Sequence, residues 1–331
     1  MRIILDGMGS DNYPGPEVEA AVMAAKKWGE EIILVGQQER LAPLLEEANT
    51  ENAAVRLVHA PEVYEMTDKV TRSALRSAPN SMGVAIEMLK NGEGDAFVTA
   101  GNTGGAMAIG LARLGRIRGV KRPGLCALIP VKDGHCVITD IGANAECKPE
   151  YLLQFAIMGS VYAENVLDIS RPRVGLISNG EEAGKGNDLV KAAYPLLQAS
   201  NLNFVGNVEG KEIFGGQVDV AVTDGFTGNV MIKAIEAVAK LLVDNLRQGM
   251  MASLRTKIGG LLAKPAFSAL RKQLDPSEVG AAPLLGLDGL VFVGHGRSDA
   301  RALFSAIGIA RQAVAAGTME AMRTSIQERI G

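Results

Sequence analysis

The sequence contains few of the residues that build metal centres, disulfide frameworks and base-stacking surfaces. Only three cysteines and three histidines occur among 331 residues, and aromatic residues make up 4%. Cysteines at CxxC spacing and histidines at HExxH spacing are both absent, so we expect no metal site. An odd, sparse set of cysteines is typical of a reducing cytosol, and the shortage of aromatic residues argues against nucleic-acid binding.

Long apolar runs are also missing. The apolar run at the N-terminus is interrupted by Asp6 and is too short for a signal peptide. Tyr151–Ala163 falls short of the roughly 20 apolar residues that span a membrane. The net charge of −3 argues against a surface that binds polyanions as a whole. We therefore expect a cytoplasmic protein, and its ordinary composition allows one large α/β domain over residues 1–331.

Apolar runs of strand length alternate with helical periodicity along the chain. This alternation is typical of an α/β fold with a mostly parallel, doubly wound sheet. The predicted strands are Arg2–Leu5, Ile32–Val35, Val55–His59, Ala96–Thr99, Leu125–Ile129, Cys136–Thr139, Arg173–Ile177, Phe204–Gly206, Val218–Val222 and Leu290–Val293. We expect a hairpin around Lys132–Gly134, a central strand at Phe204–Gly206 and one long helix over Ala300–Ile330.

Two of the predicted strands end in similar glycine-rich turns, each of which opens a helix. One turn holds Gly101, Asn102, Thr103 and Gly104, and the other holds Asp224, Gly225, Thr227, Gly228 and Asn229. The first N–H groups of a helix have no partner within it and bind anions, above all phosphate. Because ligands of α/β sheets lie at the carboxyl ends of strands, we expect both turns to face one crevice and bind phosphate there. An ordinary strand–helix loop is the alternative.

Two further strand ends are polar and rich in glycine. Asp140–Asn144 follows one strand, and Gly180–Asn187 follows another and contains Lys185. The second loop is not a P-loop, because three residues separate its first two glycines and a glycine follows the lysine. Lys185 is a candidate contact for phosphate or an oxyanion, with an ordinary surface lysine as the alternative.

Three other motifs fall short of known patterns. The first turn lacks the third glycine of a dinucleotide fingerprint, since Asn12 takes its place. His295 and Asp299 are separated by one residue fewer than in the signature of glycerol acyltransferases, so we do not expect a catalytic pair. Cys147 lies beside Lys148 without a histidine nearby in sequence, which favours a structural cysteine over an acylated nucleophile.

Residues 245–274, here called the basic segment, differ from the rest of the chain. The segment has no acidic residue, and its cations are Arg247, Arg255, Lys257, Lys264, Arg271 and Lys272. Apolar residues, among them Leu254 and Ile258, recur at helical spacing until Pro265 interrupts the run. This pattern predicts an inserted pair of amphipathic helices that docks on a membrane surface or an acidic partner. Helices of a dimer interface or of the core are the alternative.

Short motifs distributed over nearly the whole chain carry a family resemblance. They lie at Asp6–Asp11, Ala100–Gly104, Asp140–Asn144, Cys147–Glu150, Gly180–Gly186, Asp224–Val230, Ala282–Gly289 and His295–Arg301. In this order they resemble the phosphate acyltransferases of bacterial phospholipid synthesis, the PlsX family. The resemblance implies a three-layer α/β/α sandwich similar to isocitrate and isopropylmalate dehydrogenases and to phosphotransacetylase.

The resemblance also implies an activity and its partners. A homodimer at the inner face of the cell membrane would transfer a fatty acyl group from acyl carrier protein to inorganic phosphate, giving acyl phosphate on the way to phosphatidic acid. The donor would be a phosphopantetheine-linked acyl thioester, with no cofactor, and a membrane glycerol-3-phosphate acyltransferase would consume the product. A phosphotransacetylase that uses acyl coenzyme A and a non-catalytic membrane scaffold for lipid enzymes are the alternatives.

The chemistry that this activity needs suggests roles for individual residues. Phosphate is already a charged nucleophile, so the site has to position it and stabilise the tetrahedral oxyanion. We assign Lys185 to charge stabilisation and Asn229 to orientation, while Asp224 fixes its loop. Further candidates to line the cleft are Asp6, His59, Asp140 and Asn144.

Two turns depart from the pattern of the family. The first turn reads DGMGSD where the family usually has DAMGGD, and Ser77–Ser81 stands where the family has a basic pair followed by Asp-Ser-Ser. The second departure removes positive charge from that loop, and Arg72 and Arg76 are the candidates to replace it.

Overall fold

The computed structural model describes residues 1–48, 50–68, 79–268 and 276–330, and within them eleven strands form a single mixed sheet. The strands are β1 (Arg2–Asp6), β2 (Glu31–Gly36), β3 (Val55–His59), β4 (Ala96–Thr99), β5 (Gly124–Val131), β6 (Gly134–Thr139), β7 (Arg173–Ile177), β8 (Asn203–Val208), β9 (Val220–Val222), β10 (Ala281–Leu285) and β11 (Val291–Gly294). Their order across the sheet is β3-β2-β1-β4-β11-β10-β5-β6-β9-β7-β8.

Helices cover both faces of this sheet. They are α1 (Gly15–Trp28), α2 (Gln38–Glu47), α3 (Ser81–Lys90), α4 (Thr103–Arg113), α5 (Pro149–Val166), α6 (Asp188–Gln198), α7 (Gly210–Phe214), α8 (Gly225–Met251), α9 (Leu254–Leu262), α10 (Ala300–Ala315) and α11 (Thr318–Ile330). One buried apolar cluster packs α1, α5 and α10 on the sheet, and a second packs α3 and α4 on it. The predicted three-layer α/β/α fold is confirmed.

The strand predictions are right in part. The hairpin is confirmed, with β5 and β6 paired antiparallel. Phe204–Gly206 lies in β8, which is an outer strand of the sheet rather than a central one, so that prediction is wrong. The strand β10 was not predicted, because Ala281–Leu285 contains two alanines and Pro283, which have low strand propensity. Its place between β11 and β5 is therefore set by tertiary pairing.

The prediction of one helix over Ala300–Ile330 is wrong. The chain turns at Gly317, whose φ of 64° is left-handed, and two helices result. A glycine in this conformation ends a helix at little steric cost, whereas alanine-rich composition alone does not reveal the break. Within the described ranges no single helix combines the length and the apolar composition needed to span a membrane, and only α10 and α11 taken together, bent by 57°, meet that test.

Strand direction reverses in the middle of the sheet. The strands β3, β2, β1, β4 and β11 are parallel, β10 and β5 each pair antiparallel with both of their neighbours, and β6, β9, β7 and β8 are parallel. As a result β4 and β9 run in opposite directions. We call the side where β1, β4 and β11 end the β4 edge, and the side where β6, β7 and β9 end the β9 edge. The two glycine turns lie on different edges, so the expectation that both face one crevice is wrong.

The start of α8 lies unusually close to the backbone at the β9 edge. A methyl group added at Gly228 would collide with the carbonyl oxygen of Asp140, and one at Gly225 would lie 2.6 Å from the carbonyl oxygen of Asn144. Backbone atoms cannot move aside as a flexible side chain can. Glycine is therefore required where α8 leaves the sheet, and not only for its turn conformation.

We expect Gly228→Ala to lower the free energy of unfolding by about 1–3 kcal/mol, because overpacking against a fixed backbone is destabilising. Gly249→Ala is the matched control on the same helix, since no atom lies within 4 Å of a methyl group added there. It should raise the free energy of unfolding by roughly 0.5–1 kcal/mol through helix propensity. Urea denaturation of both variants measures the two changes, and equal stabilities would show that the close approach does not matter.

Candidate active site at two edges of the sheet

A buried carboxylate organises the β4 edge. Asp6, which is 2% exposed, accepts hydrogen bonds from the backbone N–H of Met8 at 3.1 Å and from Oγ1 of Thr99 at 2.8 Å. Oγ1 of Thr99 in turn accepts the N–H of Gly101 at 2.9 Å. Asp6 therefore joins the end of β1 to the first glycine turn, and its two oxygens are used in holding these loops together.

Asn102 caps the helix that follows the first glycine turn. Its Oδ1 accepts the N–H of Gly105 at 2.9 Å, and its Nδ2 donates to the carbonyl oxygen of Met66 at 2.9 Å. The N–H groups of Thr103 and Gly104, in contrast, have no hydrogen-bond partner within the described ranges. Two donors at the positive end of α4 are therefore free for an anion.

The loop after β11 lies beside this turn. Val293 is opposite Thr99 in the parallel pair of β11 and β4, so His295 follows β11 at the same edge where Gly101 follows β4. Met66 connects the two loops, because its carbonyl binds Asn102 while its methyl group lies where a side chain at Gly296 would point. The spacing of His295 to Asp299 predicted no catalytic pair and did not reveal this position. Strand adjacency, which no local motif contains, is what brings His295 to the β4 edge.

A second buried carboxylate organises the β9 edge. Asp140 is 0% exposed and accepts five hydrogen bonds. The donors are the backbone N–H groups of Leu125, Gly142, Ala143 and Asn144 and the Nδ2 of Asn144, at distances of 2.7–3.1 Å. Asn144 also donates to the carbonyl oxygen of Pro123 at 2.7 Å. Both oxygens of Asp140 and the Nδ2 of Asn144 are therefore used in holding the loop.

The N-terminus of α8 is already capped from within the protein. Asp224 accepts the N–H of Thr227 at 2.9 Å with one oxygen and its hydroxyl at 2.8 Å with the other. The N–H of Gly225 donates to Asn144 at 2.8 Å, and that of Gly228 donates to the carbonyl of Asp224 at 3.0 Å. Three of the predicted phosphate donors are therefore occupied. A negative carboxylate at this helix start also competes with any second anion.

The remaining candidates at the β9 edge lie around this cap. The Nδ2 of Asn229 donates to the carbonyl oxygen of Ile141 at 3.1 Å, which ties α8 to the loop that Asp140 organises. Lys185 follows β7, which pairs with β9, and it is exposed. Its ammonium group makes no hydrogen bond or ion pair within the part of the chain that the structure describes. Lys185 is thus free to contact an anionic ligand from solvent.

Two other side chains that the sequence singled out are poor candidates for a role in the reaction. His59 ends β3, the outer strand, with β2 and β1 between it and β4, and its Nδ1 accepts the N–H of Gln38 at 3.3 Å. Cys147 lies at the β9 edge, and burial raises the pKa of its thiol to about 11. A thiol with that pKa is almost entirely protonated at neutral pH and is a poor nucleophile.

Two helices that start at opposite edges cover the same face of the sheet. The helix α4 starts at the β4 edge and α8 starts at the β9 edge, and both pack on the same apolar cluster, so they run in opposite directions. The strands β5 and β10 lie between them. In the antiparallel pair of β10 and β5, Leu284 is opposite Leu125. Two residues further along each strand Ala282 is opposite Ala127, and both alanines are only half-buried. Small side chains here leave the floor of the sheet open to solvent.

Carboxylates of three residues cluster near the β9 edge. They belong to Glu181, Glu209 and Glu212, which the described ranges place close enough to share one cation. The ammonium group of Lys211 already lies 2.6 Å from Glu181 and 3.6 Å from each of the other two. The positive charge of this cluster is therefore supplied by the protein.

The basic segment is not a separate insertion that begins at residue 245. Its first helix is the continuation of α8, which starts at the β9 edge, and α9 follows after a short turn. Helix resumes over residues 264–268, so Pro265 lies in the first turn of a helix, where proline is tolerated. The predicted contacts Arg271 and Lys272, like Arg72 and Arg76, lie outside the described residues.

Comparison with known proteins settles the family. The profile of the family described as "Fatty acid synthesis protein" matches residues 1–321. A phosphate acyltransferase of Pelotomaculum thermopropionicum is 44% identical over 327 residues, covering 99% of this chain and 95% of the relative. One of Syntrophotalea carbinolica is 45% identical over 312 residues, covering 94% and 90%. The chain belongs to the phosphate acyltransferase family.

Solved structures show the same fold at low sequence identity. A phosphotransacetylase from Streptococcus pyogenes superposes with a TM-score of 0.64 at 16% identity, covering 97% of this chain and 94% of its own. A branched-chain phosphotransacylase from Enterococcus faecalis gives 0.60 at 14% identity, covering 95% and 99%. The protein is therefore an acyltransferase of fatty acid and phospholipid synthesis on a phosphotransacetylase-like fold.

Proposed function

We propose that the protein transfers a fatty acyl group from acyl carrier protein to inorganic phosphate and so makes acyl phosphate, the first committed intermediate toward phosphatidic acid. The observation that carries this proposal is that, within the described residues, the N–H groups of Thr103 and Gly104 have no partner, in a chain that belongs to the phosphate acyltransferase family. They lie at the positive end of α4, which favours an anion.

The two edges then serve different parts of the reaction. Phosphate binds at the β4 edge, because two N–H groups at the start of α4 lack a partner within the described ranges, whereas at the start of α8 only that of Phe226 does and the carboxylate of Asp224 already caps the helix. Lys185 and Asn229, at the β9 edge, act on the thioester donor, whose phosphopantetheine arm carries a phosphodiester that a free ammonium group attracts. This division replaces the idea that one phosphate touches both glycine turns. The open floor at Ala127 and Ala282 accommodates the arm and the acyl chain.

The proposed activity is tested by supplying the purified protein with acyl carrier protein thioester or acyl coenzyme A, each with and without inorganic phosphate. We expect acyl phosphate only when phosphate is present, and faster formation from the carrier-protein thioester. Trapping of acyl phosphate with hydroxylamine measures the product. Faster formation from acyl coenzyme A would indicate a phosphotransacetylase-like enzyme instead. If neither donor gave acyl phosphate, the non-catalytic scaffold for lipid enzymes would be the remaining alternative.

The position of the phosphate is tested by removing a single backbone N–H. Thr103→Pro deletes the donor at the first residue of α4, where proline fits a helix, and Asn102 before it, with φ −59° and ψ 113°, lies outside the α region that a following proline disfavours. We expect the KM for phosphate to rise about tenfold or more, since a hydrogen bond to a charged group contributes roughly 1.5–3 kcal/mol.

Thr103→Ala is the matched control, because it changes the side chain and keeps the N–H. Lys185→Ala and Asn229→Ala should leave the KM for phosphate within about twofold and lower kcat/KM for the thioester about 10- to 100-fold. The opposite assignment, in which only Lys185→Ala weakens phosphate, would place the anion at the β9 edge.

We also propose that the basic segment holds the enzyme on an anionic membrane. Leu254, Ile258, Leu261 and Leu262 are 56–79% exposed, and cations including Arg255, Lys257 and Lys264 lie among them. Exposed apolar side chains beside cations are typical of interfacial helices. The same positive charge suits acyl carrier protein, which is acidic. In this arrangement acyl phosphate is released next to the membrane glycerol-3-phosphate acyltransferase that consumes it.

A homodimer is part of the same proposal. Along α8, Val238, Leu241, Leu242 and Leu246 are 43–57% exposed and form an apolar stripe that a second copy of the chain would cover.

Membrane docking is tested by flotation with vesicles of phosphatidylcholine, with and without phosphatidylglycerol. We expect the wild-type protein to float with anionic vesicles, and Leu254→Glu combined with Ile258→Glu to abolish flotation, because carboxylates cost free energy in the interface. Met23→Glu combined with Val205→Glu is the matched control, since both residues are exposed elsewhere. Undiminished flotation of the first double variant would exclude this segment as the anchor.

A further inference from the structure

His295 contacts a carboxylate on α8, which the sequence does not suggest. Its Nε2 lies 3.7 Å from Oε1 of Glu236, and the other oxygen of Glu236 accepts a hydrogen bond from Lys233 at 3.1 Å. Asp299, the carboxylate nearest in sequence, instead caps α10 by accepting the N–H of Ala302 at 2.9 Å. The acidic partner of His295 is therefore supplied by the helix α8.

The surroundings of His295 keep its imidazole neutral. Burial lowers the pKa of His295 below its ordinary value of 6.5, and the positive charges of Lys233 and Arg297 lower it further, while Glu236 opposes them. The turn after β1 contributes Asp11, whose carboxylate lies where a side chain at Gly296 would point and whose N–H donates to Gly296 at 2.6 Å. A neutral imidazole has one nitrogen able to accept a proton and a carboxylate ready to stabilise the cation that results.

The proposed reaction has one proton to move. Phosphate at neutral pH carries a proton that the acyl phosphate dianion no longer holds, and the departing thiolate, with a thiol pKa of about 8.5, needs one. His295 follows β11, the strand that pairs with β4, so its loop lies at the same edge as the proposed phosphate-binding turn. Within the described ranges the only other histidine at this edge is His59, which ends β3, three strands beyond β4.

We propose that His295 carries this proton from phosphate to sulfur, and that Glu236 positions its ring. As a phosphate oxygen forms its bond to the thioester carbon, His295 accepts the phosphate proton. As the C–S bond breaks and its electron pair passes to sulfur, the imidazolium returns that proton to the sulfur. Phosphate monohydrogen dianion and thioester give acyl phosphate dianion and free thiol, with His295 unchanged. This inference rests on the proposed function.

The test compares His295→Gln with wild-type protein on two thioesters of the same acyl group, one on acyl carrier protein and one on p-nitrothiophenol. With the carrier protein we expect turnover to fall about 100-fold or more, the usual size of a general acid–base contribution. With the aromatic thioester, whose thiolate leaves without a proton, the loss should shrink to less than tenfold. His135→Gln, on the exposed end of the β5–β6 hairpin, is the matched control and should behave as wild type with both.

Glu236→Gln tests the positioning role. We expect about a tenfold loss with the carrier-protein thioester and little loss with the aromatic one. In wild-type protein kcat should also fall as the pH drops through the lowered pKa of His295, because the protonated ring cannot accept a proton, and this limb should vanish in His295→Gln. Ionisation of phosphate affects all variants alike.

Equal losses on both thioesters would show that His295 is structural and would overturn the inference alone, as would full activity of His295→Gln. A wild-type protein that makes no acyl phosphate from any thioester would overturn the proposed function, and the inference with it.

Discussion

The antiparallel pairing of β10 and β5 determines where every polar loop of this protein lies. Without that reversal the four glycine-rich strand ends would meet at one edge, as in a doubly wound sheet of parallel strands. With it, the turn at Gly101–Gly104 and the cap at Asp224–Asn229 lie on opposite edges of the sheet. The turn at Gly101–Gly104 is therefore separated from Lys185 and Asn229 by the strands that lie between β4 and β9.

The residues most suggestive of chemistry in the sequence turn out to hold loops. Asp6, Asp140 and Asp224 each accept hydrogen bonds from nearby N–H or hydroxyl groups, and a carboxylate satisfied in this way has little left for a substrate. Their value is preorganisation, because a fixed loop presents its remaining donors without rearrangement during the reaction. The donors without a partner within the described residues are less conspicuous in the sequence than these carboxylates. They include two backbone N–H groups on α4 and the ammonium group of Lys185.

Local sequence predicted what local forces determine. Apolar runs identified most strands, the turn at Lys132–Gly134 revealed its hairpin, and the family motifs gave the fold and the reaction class. Strand order was not accessible, because β10 pairs on one side with β5, more than 100 residues away in sequence, and its own residues favour no strand. The contact of His295 with Glu236 was missed for the same reason, since it joins the loop after β11 to the helix α8, which only the fold brings together.

The long helix α8 connects the β9 edge of the sheet to the basic segment. From Glu236 the helix continues for fifteen residues to Met251, or about 22 Å at 1.5 Å per residue, and α9 packs back on its end. The first turn is fixed by Asp224 and by the close approach of Gly228, so the far end is held at a set distance from the β4 edge. The same helix thus carries Glu236, which contacts His295, and the start of the basic segment. A fold shared with phosphotransacetylases does not by itself select a donor. The proposed docking on a membrane therefore depends on the exposed apolar side chains and the cations of the basic segment.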